Sequence, residues 1–182
     1  MAKLQNLALG SYEAAAVMGV HFTRPRRMFD DGLIDGRTLD PVVTASEDRM
    51  RLVYSLKSCE ENYEDYERRL GVKGREGVMR PRAWLHERPE ALRRLKAIKT
   101  PILYDDAIGV GEAAKIMGVH WTLVVRLINQ GKIVGRTAWN KRNAGQKFWI
   151  ISRSSCEAER KRAAKNPEKK GRPRGAKNKV DR

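Results

Sequence analysis

Residues 9–38 read LGSYEAAAVMGVHFTRPRRMFDDGLIDGRT, and residues 108–137 read IGVGEAAKIMGVHWTLVVRLINQGKIVGRT. The two stretches align without a gap, and 15 of their 30 positions are identical. The chain therefore carries an internal repeat with an offset of 99 residues. Identity concentrates where local structure is demanding. Glu13-Ala14-Ala15 matches Glu112-Ala113-Ala114, and Met18-Gly19-Val20-His21 matches Met117-Gly118-Val119-His120. Gly32 matches Gly131, and Gly36-Arg37-Thr38 matches Gly135-Arg136-Thr137.

Each copy predicts a short helix, a tight turn, a second helix and a strand. Ala14, Ala15 and Met18 share one helix face, and alanines there admit a close neighbour. Gly19 ends that helix, because a positive φ costs glycine little. Val20 plugs the space between the helices, and His21 or Thr23 can cap the second. Pro25 falls in its first turn, where a missing N–H is tolerated. Met28 and Phe29, with Leu127 and Ile128 in copy two, face inward. Gly32 and Gly131 stop the second helix, and Ile34 and Ile133 lead into the strand.

Composition narrows the partner. The chain has 182 residues and a formal net charge of +16, with a sequence pI of about 10.2. Such an excess suits a polyanion, above all nucleic acid, whose bound counterions are released on contact. No apolar run is long enough to span a bilayer, and the N-terminal MAKLQNLALG lacks a secretory h-region, so a cytoplasmic location is expected. Cys59 and Cys156 have no ligand partners at metal spacing. No phosphate-binding glycine loop and no nucleophile–base pairing is evident, so neither an enzyme, a cofactor nor a small-molecule ligand is expected.

The repeated E-A-A-x-x-M-G-V-H-x-T, the arginine at Arg27 and Arg126, and the following G-x-I-x-G-R-T resemble the excisionase and MerR-like winged helix-turn-helix family. The resemblance covers about a third of the chain in total. It implies a mainly α fold with small β-hairpin wings. It also implies that each second helix enters a DNA major groove while the wing touches the backbone or minor groove.

The copies differ in what they would present to DNA. The first offers Thr23, Arg24, Arg26 and Arg27, and arginine is the commonest reader of guanine. The second offers Thr122 and Arg126 among apolar neighbours. Its wing carries Lys141, Arg142 and Lys147, against a short acidic hairpin in copy one. Arg37 and Arg136 open the two wings and are expected to contact DNA. The expectation is a helix reader in copy one and a wing reader in copy two. His21 and His120 suit caps or phosphate contacts, and Trp121, Trp139 and Trp149 suit the core.

Between the copies, residues 46–70 predict one amphipathic helix capped by Ser46. Leu52, Leu56, Cys59, Tyr63, Tyr66 and Leu70 recur at alternating spacings of four and three, an a/d seam. That seam packs on its own module or serves a homodimer. Residues 71–82 read as a flexible link, and a further helix starts near Pro89. Residues 157–182 contain eleven Lys or Arg against four acids and too few apolar groups for a core, so disorder in the free chain is expected, preceded by a helix from Ser154 to about Lys165. Within them Lys170, Arg172, Arg174 and Lys177 surround a Gly-Arg-Pro segment that resembles an AT-hook, although it is one glycine short of the fullest hook pattern. The alternative there is a generic basic arm. The expected domains are 1–58, 59–100, 101–157 and 158–182. The expected function is sequence-specific binding of double-stranded DNA, as a transcription regulator of a prokaryote, phage or plasmid. A recombination accessory factor and a DNA-packaging or partition adaptor are the alternatives.

Overall fold

A computed structural model of the chain describes residues 5–39, 51–71, 82–139 and 148–165. The fold is mainly helical, with two small antiparallel sheets. The first unit runs β1 (Ala8–Leu9), α1 (Ser11–Met18), α2 (Arg24–Asp30), β2 (Gly36–Leu39), β3 (Arg51–Ser55) and α3 (Leu56–Gly71). A 3-10 turn (Leu85–Glu87) and α4 (Arg88–Lys96) follow. The second unit repeats the order as β4 (Ala107–Ile108), α5 (Val110–Met117), α6 (Trp121–Asn129), β5 (Gly135–Thr137), β6 (Trp149–Ser152) and α7 (Arg153–Lys165).

The repeat extends to strand order and register. The sheets are ordered β1-β3-β2 and β4-β6-β5. Gly36 pairs with Tyr54 as Gly135 pairs with Ile151, and Ala8 pairs with Ser55 as Ala107 pairs with Ser152. Gly19 and Gly118 end α1 and α5 at φ of 65° and 64°. There the N–H of Val20 donates to the Ala15 carbonyl at 3.0 Å, and that of Val119 to Ala114 at 3.1 Å. These bonds satisfy carbonyls that a helix end leaves open. Gly36 and Gly135 serve close approach instead. A Cβ at Gly36 would lie 2.9 Å from Phe29, and one at Gly135 would lie 2.9 Å from Ile128.

Residues 51–55 are not helical, which corrects the single helix expected over 46–70. They form β3, the central strand, bonded to both β1 and β2. Leu52, Val53 and Tyr54 suit a pleated surface, and pairing on both edges outweighs a helical spacing. The helix starts at Leu56 instead. A boundary at 58/59 would cut α3, whose Leu56 and Cys59 lie in the first unit's core with Val17, Met18 and Tyr54. Leu52, Leu56, Cys59 and Tyr66 of the a/d seam are buried within the chain. Arg82 lies over the Tyr66 ring at 4.1 Å, and Arg88 lies over Tyr63 at 3.6 Å. A boundary at 157/158 likewise falls inside α7, so residues 158–165 are helical and not the disordered tail expected there; residues 166–182 and 72–81 lie outside the described residues.

The two units share a third core. Strand residues alternate between faces. Leu52 and Tyr54 face the helices of the first unit, and Ile151 faces those of the second. The intervening Val53 and Ile150 meet between the sheets, with Ala8, Ala107, Leu39, Ala138 and Ile102. The chain reinforces this contact. Ala8 N–H donates to the Ile102 carbonyl at 3.0 Å, and Tyr104 N–H donates to that of Asn6 at 2.8 Å.

Candidate nucleic-acid interface

The second helix of each helix pair is the expected reader. In α2, Pro25, Met28 and Phe29 turn inward, with Pro25 buried. Thr23, Arg24, Arg26 and Arg27 are all exposed. Arg26 Nε is 3.0 Å from an Asp30 carboxylate oxygen, and Arg27 Nε is 3.7 Å from Asp31. Both pairs are exposed i,i+4 pairs, worth about 0–1 kcal/mol in water, so a phosphate or a base edge can replace the aspartate. His21 Nδ1 lies 2.9 Å from Thr23 Oγ1, and His120 Nδ1 lies 2.9 Å from Thr122 Oγ1. His120 also caps α6 by accepting from the Thr122 N–H at 3.5 Å.

The outer face of α6 is different in kind. Thr122 and Arg126 are exposed there, together with Trp121 and Leu123. Trp121 was expected in the core and is instead 37% exposed. The reason is asymmetric covering. In the first unit residues 82–88 cap the end of α1: Arg82 donates to the Met18 carbonyl at 2.7 Å, and Arg88 donates to that of Val17. Leu85 packs so tightly that a Cβ at Gly19 would lie 2.5 Å from it, whereas the space at Gly118 is open. Trp139 and Trp149 are half-buried and pack against the two unit cores.

Arg37 and Arg136 do not reach outward as DNA contacts. They are reciprocal ties between the units. Arg37 donates to the carbonyls of Ala107 and Tyr104, the latter at 2.6 Å. Arg136 donates to the Ala8 carbonyl at 2.5 Å, and Ala8 is the counterpart of Ala107. Arg136 also grips the Glu13 carboxylate at 2.6 and 3.0 Å. Glu13 is wholly buried and the Arg136 side chain is only 9% exposed. The same carboxylate accepts the Gly10 N–H at 2.8 Å, holding the start of α1. Glu112, the counterpart of Glu13, pairs with Arg153 of its own unit. The sequence marked Arg37 and Arg136 as a matched pair, but it carried no sign that each serves the other copy.

Lys141, Arg142 and Lys147 of the second wing, and Lys170, Arg172, Arg174 and Lys177 of the AT-hook-like segment, lie outside the described residues. Among the described residues, no group of three His, Cys, Asp or Glu could hold a metal ion, and no helix is long and apolar enough to cross a membrane. Both thiols are buried. Desolvation raises the Cys59 thiol well above its ordinary range and pushes Cys156 up to about 11.

No family model matches the chain, and no curated protein or solved structure matches it either.

Proposed function

We propose that this chain is a sequence-specific double-stranded DNA-binding protein with two winged helix-turn-helix units, acting as a transcription regulator of a prokaryote, phage or plasmid. The exposed Thr23, Arg24, Arg26 and Arg27, on α2 and the residue that precedes it, in a chain of +16, support this reading most directly. The first unit reads bases through that helix. The second unit, with Thr122 and Arg126 on α6, leans on the wing cations Lys141, Arg142 and Lys147. Arg37 and Arg136 contribute by fixing the units to each other, so that the pair measures one spacing on the duplex. The packaging-adaptor alternative drew on an oligomerising seam, of which Leu52, Leu56, Cys59 and Tyr66 are buried within the chain.

Selection of bound sites from random and genomic DNA with the full chain tests the reading. A discrete bipartite site of one fixed spacing is expected. Arg24→Ala with Arg27→Ala is expected to weaken binding at least tenfold and to flatten the salt dependence, at unchanged thermal stability. Retention of no site above competitor DNA would sink the proposal. Tolerance of an added half-turn between half-sites would sink the fixed-spacing part.

A further inference from the structure

Arg24, Arg27 and Asp31 stand three and four positions apart, so they form one line along α2 and its C-terminal cap. All three are exposed. Their counterparts at the offset of 99 residues are Leu123, Arg126 and Gln130, in line along α6 and its cap and likewise exposed. The inner faces of the two helices stay alike, for Met28 and Phe29 pack on the first core as Leu127 and Ile128 pack on the second. The central arginine is common to both outer lines. Their ends differ. Where the first helix has Arg24, the second has Leu123, an aliphatic side chain 38% exposed. Where the first has Asp31, 3.7 Å from Arg27, the second has a neutral amide that offers Arg126 no charge.

Base edges in a major groove tell these two lines apart. Arginine spans O6 and N7 of guanine, glutamine spans N6 and N7 of adenine, and an apolar group meets the 5-methyl of thymine. We infer that the two units read half-sites of different sequence. The first takes a guanine-rich half-site through Arg24 and Arg27. The second takes one that carries a thymine, recognised by its 5-methyl group against Leu123, with an adenine facing Gln130. This inference rests on the DNA-binding reading above and gives its two half-sites their base class. The spacing fits the duplex. Leu123 and Gln130 are seven positions apart, about 10 Å along the helix axis, which matches about three base-pair steps of about 3.4 Å. A single aliphatic group set among Thr122, Arg126 and Gln130 also matches one methyl group set among polar base edges.

The test uses the full chain and the duplex recovered by site selection. Deoxyuridine replaces thymine in one half-site at a time, an exchange that removes only the methyl group. In one half-site the exchange should weaken binding about fourfold, the worth of one buried methyl group, and in the other it should leave binding unchanged. Leu123→Ala should bind the thymine and deoxyuridine duplexes equally. Leu123→Arg should move the preference at that position from thymine to guanine. Arg24→Leu should relax the guanine requirement of the opposite half-site. Melting temperatures of all three variants should stay unchanged, because both side chains are exposed. Two half-sites of the same sequence, no effect of deoxyuridine in either, or a methyl dependence that survives in Leu123→Ala would overturn the inference, while a discrete bipartite site leaves the DNA-binding reading standing. Retention of no site above competitor DNA would overturn both.

Discussion

Arg136 and Glu13 show how one residue pair can carry a fold-level task. A buried charge is tolerated only when paired and hydrogen-bonded. Glu13 meets that condition with Arg136, Gly10 and a longer contact from the Trp139 N–H at 3.4 Å. Removing either partner strands the other in the interface. Arg136→Ala and Glu13→Ala are each expected to destabilise the chain by about 3–5 kcal/mol in urea unfolding. The double variant should cost less than the sum of the two, since the stranded charge is gone. Arg37→Ala leaves only carbonyls behind and is expected to cost less than Arg136→Ala. The thiols give a pH dependence at the same scale. Cys156 stays protonated in the folded chain up to about 11, while the unfolded thiol ionises near its ordinary 9.0. Its contribution is full below about pH 9 and is lost as pH rises through 11. Urea midpoints should therefore fall between pH 9 and pH 11, and less steeply in Cys156→Ala.

At the scale of elements, the two copies of one helix end have unequal surroundings. Gly19 and Gly118 share a left-handed backbone, which costs alanine about 1–2 kcal/mol. Only Gly19 is also pressed by Leu85. Gly118→Ala is expected to cost only the backbone term. Gly19→Ala should cost clearly more, because the 3-10 turn must shift. Equal losses in melting temperature would contradict that covering role. The strand β3 teaches a related point. Its helical spacing was real in the sequence, yet two flanking strands offered backbone hydrogen bonds on both edges and captured it.

At the scale of the molecule, the shared core between the sheets makes the units interdependent. Val53 and Ile150 are both wholly buried there. Unfolding either unit would expose the other's inner sheet face, so a single transition is expected. Variants retaining one tryptophan, Trp84 in one and Trp149 in the other, should give superimposable urea curves. Separated midpoints would show that the units unfold independently. In the proposed DNA-binding role this coupling would have a use, since a rigid pair of units does not lose the entropy of ordering a linker on binding.

The sequence by itself determined the repeat, the short helix pairs, their glycine stops and the outward arginines of α2. Those features depend on neighbours within a few residues, and periodicity and turn chemistry report them directly. It also placed α4 near Pro89 and the last helix from Ser154 onward. Tertiary structure alone decided the rest. The short strands β1 and β4 hold two residues each, too few for any pattern. The segment 82–88 has no periodicity, and its role as cover comes from what it touches. Arg37 and Arg136 looked like surface cations because arginine beside a hairpin usually is one. Their true partners lie 67 to 128 residues away, where only the packing of one sheet on the other brings them.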